Sequence, residues 1–130
     1  MANLVVPDSN FYIGCARTGL DPFSELGAFA DDWEFATCGM VVLEVCRGRR
    51  DPNLLRRFQE RFAVMLYLAT TSATWERANA LAWNLDRRGV VLPAQDLIIA
   101  ACALNSNAAI LTADAHFHEV PGLRVLDTLT

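Results

Sequence analysis

Four carboxylates occupy positions where the surrounding residues call for apolar side chains. Asp8 directly follows the run Asn3-Leu4-Val5-Val6-Pro7, and Asp114 comes two residues after the apolar run 108 to 112. Glu44 interrupts Met40-Val41-Val42-Leu43 and is followed by Val45 and Cys46. Asp96 opens a turn whose same-face partners are Ile99, Ala100 and Ala103, a face that should be buried. Burying one ionised carboxylate costs several kcal/mol unless a partner compensates it. Nearby bases are few: Arg17 lies near Asp8, Arg47 near Glu44, and none lies close to Asp96 or Asp114. A bound divalent cation answers this shortage. Several carboxylates with retained water suit Mg²⁺ or Mn²⁺, which are hard cations preferring oxygen. Taken singly, Asp8 and Asp114 could be turn or helix-cap residues, Asp96 could answer its helix dipole, and Glu44 could be a surface residue. The set argues more strongly than any member, because independent caps need not converge on one edge.

Hydroxyls accompany these acids. Ser9 and Thr112 are suited to orienting a carboxylate or holding a water beside the metal. Asn10 reads as ordinary turn chemistry. His116 and His118 flank Phe117 and could serve as metal ligands or a general base, but loop histidines are commoner and both are placed outside the catalytic set. Cys15, Cys38, Cys46 and Cys102 are scattered singly among apolar neighbours, without C-x-x-C spacing, and read as small buried residues rather than a zinc site or disulfide framework.

The acids need strands and helices to bring them together. Residues 3 to 7 read as a buried strand and residues 35 to 37 as a second. Residues 64 to 69, 108 to 112 and 123 to 126 read as further strands. Phe23, Leu26 and Phe29 give residues 23 to 32 helical spacing. Met40 to Arg47 is a helical turn carrying Glu44. Asp51-Pro52 is a good helix start, with Leu54, Leu55, Phe58 and Phe62 on one face and arginines opposite. Trp75, Ala78, Ala82 and Leu85 mark a helix from Ser72 to Arg88, closed by Gly89, in which both Trp75 and Trp83 are expected to pack in the core. Residues 93 to 104 form a buried alanine-rich helix. The stretch from Gly14 to Gly19 is poor in helix formers, so the first helix is expected to be short. Continuous apolar strands alternating with helices indicate a parallel sheet covered on both faces, hence a three-layer α/β/α domain. In such sheets ligands bind beyond the carboxyl ends of the strands, which is where Asp8 and Asp114 fall.

Length and charge bound the remaining options. The chain of 130 residues reads as one domain spanning 1 to 130, with no repeat, linker or low-complexity tract. No apolar run is long enough to span a bilayer and the N-terminus lacks a basic region, so no membrane association and a cytoplasmic location are expected. The net charge is −4, which excludes a protein coated in positive potential. All 11 basic residues are arginines, and Arg47, Arg49, Arg50, Arg56, Arg57 and Arg61 crowd one segment. That cluster is either a solvated helix face or a phosphate-binding face, since arginine forks onto phosphate.

Three stretches together resemble the sequence marks of PIN-domain nucleases: Asp8-Ser9-Asn10 after an apolar strand, Asp96-Leu97-Ile98-Ile99-Ala100-Ala101, and Leu111-Thr112-Ala113-Asp114-Ala115-His116-Phe117. Glu44-Val45-Cys46-Arg47-Gly48 is similar to the family's glutamate-bearing helix. The similarity is greatest to VapC-type toxins of bacterial toxin–antitoxin pairs and covers nearly the whole chain. Pro7, inside a strand that should be central, is a departure. The resemblance implies a PIN-like fold with a parallel sheet of about five strands. It implies Asp8, Glu44, Asp96 and Asp114 as Mg²⁺ or Mn²⁺ ligands, with Thr112 and Ser9 in support. It also implies an endoribonuclease that hydrolyses RNA phosphodiesters with metal-activated water, a small antitoxin partner, and a homodimer. The competing readings are a catalytically silent PIN-like scaffold or RNA-binding module, against which the four intact acids speak, and a metal-dependent phosphatase. A phosphatase is expected to carry a D-x-D pair where this chain has Asp8-Ser9-Asn10.

Overall fold

Alternating apolar strands and amphipathic helices build a five-stranded sheet in the computed structural model, which describes residues 3–130. The strands are β1 (Asn3–Pro7), β2 (Trp33–Cys38), β3 (Leu66–Leu68), β4 (Ala109–Leu111) and β5 (Val125–Leu126). Their order is β3-β2-β1-β4-β5 and every pairing is parallel. The helices are α1 (Ser9–Arg17), α2 (Pro22–Gly27), α3 (Gly39–Arg47), α4 (Pro52–Ala63), α5 (Ser72–Arg87) and α6 (Ala94–Asn105), with a 3₁₀ turn at Ala115–Glu119. This is the expected parallel α/β architecture. No helix among the described residues is long and apolar enough to cross a membrane.

The centre of the sheet is built from short branched and small side chains. Val5, Val6, Ala36, Ala109 and Ile110 are all fully buried. Pro7 is accommodated because β1 pairs with β2 over Asn3–Val5 and with β4 over Val5–Pro7, so proline comes after the β2 ladder has ended. The ladder on the β4 side continues through Asp8, whose N–H donates to Leu111 O at 2.9 Å. On α6 the residues from Leu97 to Ala103 are all buried, and its small side chains bring α5 and α6 into close contact.

Several local expectations need correction. The helix expected over 23 to 32 stops at Gly27, and the chain continues in tight turns closed by Phe29 N–H to Leu26 O and Ala30 N–H to Gly27 O. The first helix, by contrast, is short as expected, nine residues that end at Arg17 inside the glycine-flanked stretch. Reversal follows at Gly19, whose φ of +74° is natural for glycine. Trp75 and Trp83 do not enter the core but are 51% and 60% exposed. The buried seam of α5 runs through Thr74, Ala78 and Leu85, and helical spacing puts Trp75 beside that seam and Trp83 nearly opposite it. Arg87 lies over the indole of Trp83, 4.7 Å from its ring centre. The four cysteines are free, with Cys15, Cys38 and Cys102 buried and Cys46 half-buried.

Candidate metal centre

The carboxyl ends of β1 and β4 lie side by side because the two strands pair in register, Pro7 opposite Leu111. Asp8 and Thr112 therefore emerge together. Both are 2% exposed, and the Thr112 hydroxyl donates to Asp8 Oδ2 at 3.1 Å. The same hydroxyl accepts from the Asp114 N–H at 3.0 Å, so one threonine fixes both acids. Asp114 caps the 3₁₀ turn by accepting from His116 N–H at 2.9 Å. Asp8 occupies the N-cap position of α1 but makes no side-chain cap bond there, which leaves its carboxylate for other work. Ser9 Oγ reaches Asp8 Oδ1 over a long 3.5 Å contact.

Helices α3 and α6 supply the other two acids. Glu44 lies mid-way along α3, half-buried, and its Oε1 is shielded from solvent without a hydrogen-bond partner. Asp96 lies in the first turn of α6, where its charge answers the helix dipole, and its side chain is 14% exposed. His116 Nδ1 stands 3.5 Å from Asp96 Oδ2 and 3.3 Å from Asp114 Oδ1.

Electrostatics show that these acids form one group. Burial raises the Asp8 carboxyl and the Asp114 charge adds to this, against the lowering influence of the nearby Ser9 and Asn10 backbone N–H groups and the Thr112 hydroxyl. Burial and the Asp8 charge raise Glu44, while Ser9 and Arg47 pull it down. Burial, then Asp8 and Asp114, push Asp96 up to about 6 against the opposing His116. Like charges that hinder one another's ionisation would be relieved by a cation placed among them. Among the described residues no arginine makes an ion pair with any of the four acids. The orphaned Glu44 Oε1 and the all-oxygen chemistry of Asp8, Glu44, Asp96 and Asp114 fit a hard divalent ion.

All four sequence-selected acids, with Ser9 and Thr112, thus fall at one edge of the sheet. His116, set aside as a loop histidine, belongs beside them. The signal for it was the i, i+2 spacing from Asp114, which becomes meaningful once the segment is a 3₁₀ turn capped by that aspartate. His118 stays outside, its Nε2 3.9 Å from exposed Asp127.

Comparison with known proteins settles the family. A sequence model of the PIN domain matches residues 5–123. The chain belongs to the PIN-domain family. Members of that family are nucleases. The PIN fold seen here is similar to that in VapBC2 from Rickettsia felis bound to a promoter DNA fragment, with a TM-score of 0.79 and 19% identity over 94% of this chain and 96% of that one. It is similar to DNA-bound VapBC from Salmonella typhimurium, with a TM-score of 0.78 and 18% identity over 96% and 97% of the two chains. It is also similar to VapBC-5 from Mycobacterium tuberculosis, of the VapBC family of toxin–antitoxin systems, with a TM-score of 0.70 and 19% identity over 96% and 98%. No curated protein sequence matches this PIN domain significantly.

Proposed function

We propose that this PIN domain is a divalent-metal-dependent endoribonuclease and the toxin of a toxin–antitoxin pair. The observation that carries the reading is the gathering of Asp8, Glu44, Asp96 and Asp114 at one sheet edge with no arginine paired to them. These four residues would hold Mg²⁺ or Mn²⁺. When bound, such an ion neutralises charge developing on a phosphodiester and makes an attacking water more acidic.

The chain's own groups do the rest. Thr112 Oγ1 keeps Asp8 Oδ2 in one orientation, and through the Asp114 N–H it holds the turn that carries Asp114. Ser9 stands between Asp8 and Glu44, contacting the first and lowering the carboxyl of the second. Arg47, whose charge also acts on Glu44, is the arginine we assign to a substrate phosphate at the edge of the site. RNA as the substrate, and the antitoxin and homodimer as partners, rest on the resemblance to VapC-type toxins. The similar folds come from VapBC assemblies. Exposed Trp75 and Trp83 supply apolar area for a second copy.

The test is cleavage of pooled structured RNA by purified protein with Mg²⁺ or Mn²⁺, beside an EDTA control and the Asp8→Asn and Asp96→Asn variants. We expect metal-dependent cutting that falls about 100-fold or more in each variant. Metal binding with no cutting above the variants' background, across RNA and DNA substrates, would mark a silent scaffold instead.

A further inference from the structure

His116 lies in the stretch that carries Asp114 but is not one of the four acids, and its ring is held against two of them. The hold is local. Asp114 accepts from the His116 N–H at 2.9 Å, which closes the first turn of the 3₁₀ segment and points the imidazole back along the chain. Nδ1 then stands 3.3 Å from Asp114 Oδ1 and 3.5 Å from Asp96 Oδ2. One donor atom from each of Asp96, Asp114 and His116 lies within 4.8 Å of both others. Adjacent ligands of an octahedral ion bound at roughly 2.1 Å lie about 3.0 Å apart, so small side-chain shifts bring all three onto one ion. The ring is 54% exposed, so an ion arriving from solvent meets the imidazole without burying it first. The other histidine of the same turn, His118, points to Asp127 and offers a built-in control.

We propose that His116 Nδ1 joins Asp96 and Asp114 as a ligand, making this a mixed nitrogen–oxygen site that favours transition divalent ions over Mg²⁺. The inference rests on the metal-site reading above and adds to it the identity of one donor and its consequence for metal choice. Carboxylates alone serve Mg²⁺ well. An imidazole nitrogen adds affinity for transition ions while giving Mg²⁺ little, so the histidine acts on selectivity.

The test uses Mn²⁺ alone, without RNA, on the full chain. Pulsed electron paramagnetic resonance reads nitrogen coupling to the ion, and calorimetric titration gives dissociation constants for Mn²⁺ and Mg²⁺. Wild type and His118→Ala should both show ¹⁴N coupling, and His116→Ala should lose it. The Mn²⁺ over Mg²⁺ preference should fall about 10-fold in His116→Ala with Mg²⁺ binding within about 3-fold of wild type, a change of the size that altering a metal's environment produces. Thermal melts of metal-free His116→Ala and wild type should coincide within a few degrees, which separates ligand loss from misfolding. Mn²⁺ bound to wild type without nitrogen coupling, or an unchanged metal preference in His116→Ala, overturns the proposal and leaves the carboxylate site standing. Failure of wild type to bind Mn²⁺ or Mg²⁺ at all overturns both.

Discussion

Asp96 carries the clearest consequence of gathering acids without a counter-charge. In the unfolded chain its carboxyl titrates near the ordinary 3.8, and in the folded protein burial, Asp8 and Asp114 hold its proton until about pH 6. A folded carboxyl with a raised pKa gives stability that is fully present below 3.8 and is lost as pH rises through about 6. The shift corresponds to a loss on the order of 3 kcal/mol. Asp8 and Glu44 are raised as well and act in the same sense. Without metal, Asp96→Asn should therefore match wild type at pH 4 and exceed it in stability by a few kcal/mol at pH 7.5. Urea unfolding in EDTA at the two pH values measures this, and an Asn variant no more stable at pH 7.5 would refute the crowding argument. Adding Mg²⁺ at pH 7.5 should narrow the gap, because an ion bound to the native state alone stabilises wild type more. Thr112→Val tests the neighbouring link. It strands the Asp114 N–H and frees Asp8 Oδ2, and should cost about 1 to 3 kcal/mol together with a loss of metal affinity by titration.

Secondary-structure elements decide which of these side chains meet, and their ends are where the sequence speaks most directly. Thr71 and Thr74 form a reciprocal cap on α5: Thr74 Oγ1 accepts from Thr71 N–H at 3.1 Å, and Thr71 Oγ1 accepts from Thr74 N–H. Thr74 is also buried against the core. Thr74→Val keeps the shape and removes the Oγ1 half of the cap while the Thr74 N–H still donates to Thr71 Oγ1, so urea unfolding should show a loss of about 1 kcal/mol with an unchanged slope. Metal-dependent cleavage should stay at the wild-type rate, since α5 carries none of the four acids. A lowered rate would mean that α5 positions the site through α6. Asp8 and Asp114 could be placed from sequence because parallel strands read as continuous apolar runs and their carboxyl ends form the binding edge. Asp51 as a cap could be read from Asp-Pro spacing, and it does accept from Asn53 N–H at 2.9 Å. The outward turn of Trp75 was not legible, because its stripe lies next to the buried seam and shares the 3.6-residue period, whereas Trp83 lies nearly opposite Ala78 and Leu85 and its exposure could have been read from that spacing. His116 was not legible either, since its reach to Asp96 depends on a 3₁₀ turn that apolar patterning does not announce.

On the whole molecule α1 runs from the acidic sheet edge to a cleft in which basic side chains outnumber acidic ones. Asp8 precedes that helix, while Ala16 and Gly19 at its far end help to line a cleft of about 510 Å³ in which Arg49, Arg57 and Arg61 outnumber Asp21 and Glu60 beside Phe23 and Phe58. Arg61 stacks 5.2 Å from the Phe23 ring centre and Arg49 5.5 Å from that of Phe58. Arg49 Nε is buried without a partner. Part of the arginine cluster is therefore not a solvated helix face but the charged wall of an apolar cleft. Its chemistry complements a segment bearing both acidic and apolar side chains, which suits the proposed antitoxin better than an RNA backbone. Nine helical residues span roughly 13 Å, a distance that about four extended residues cover. A segment seated in the cleft can thus run along α1 and lay a basic side chain against the acids, answering both unpaired sets at once. Arg57 lines this cleft but stacks on neither ring, so Arg57→Glu should leave the fold and the free protein's RNA cleavage unchanged. Binding of a small protein encoded beside this chain should weaken about 10-fold or more, because a like charge then faces its acidic residues. Calorimetry with that protein, run with cleavage assays on both forms, decides it: equal affinity would place the partner elsewhere, and reduced cleavage by the free variant would return the arginines to substrate binding.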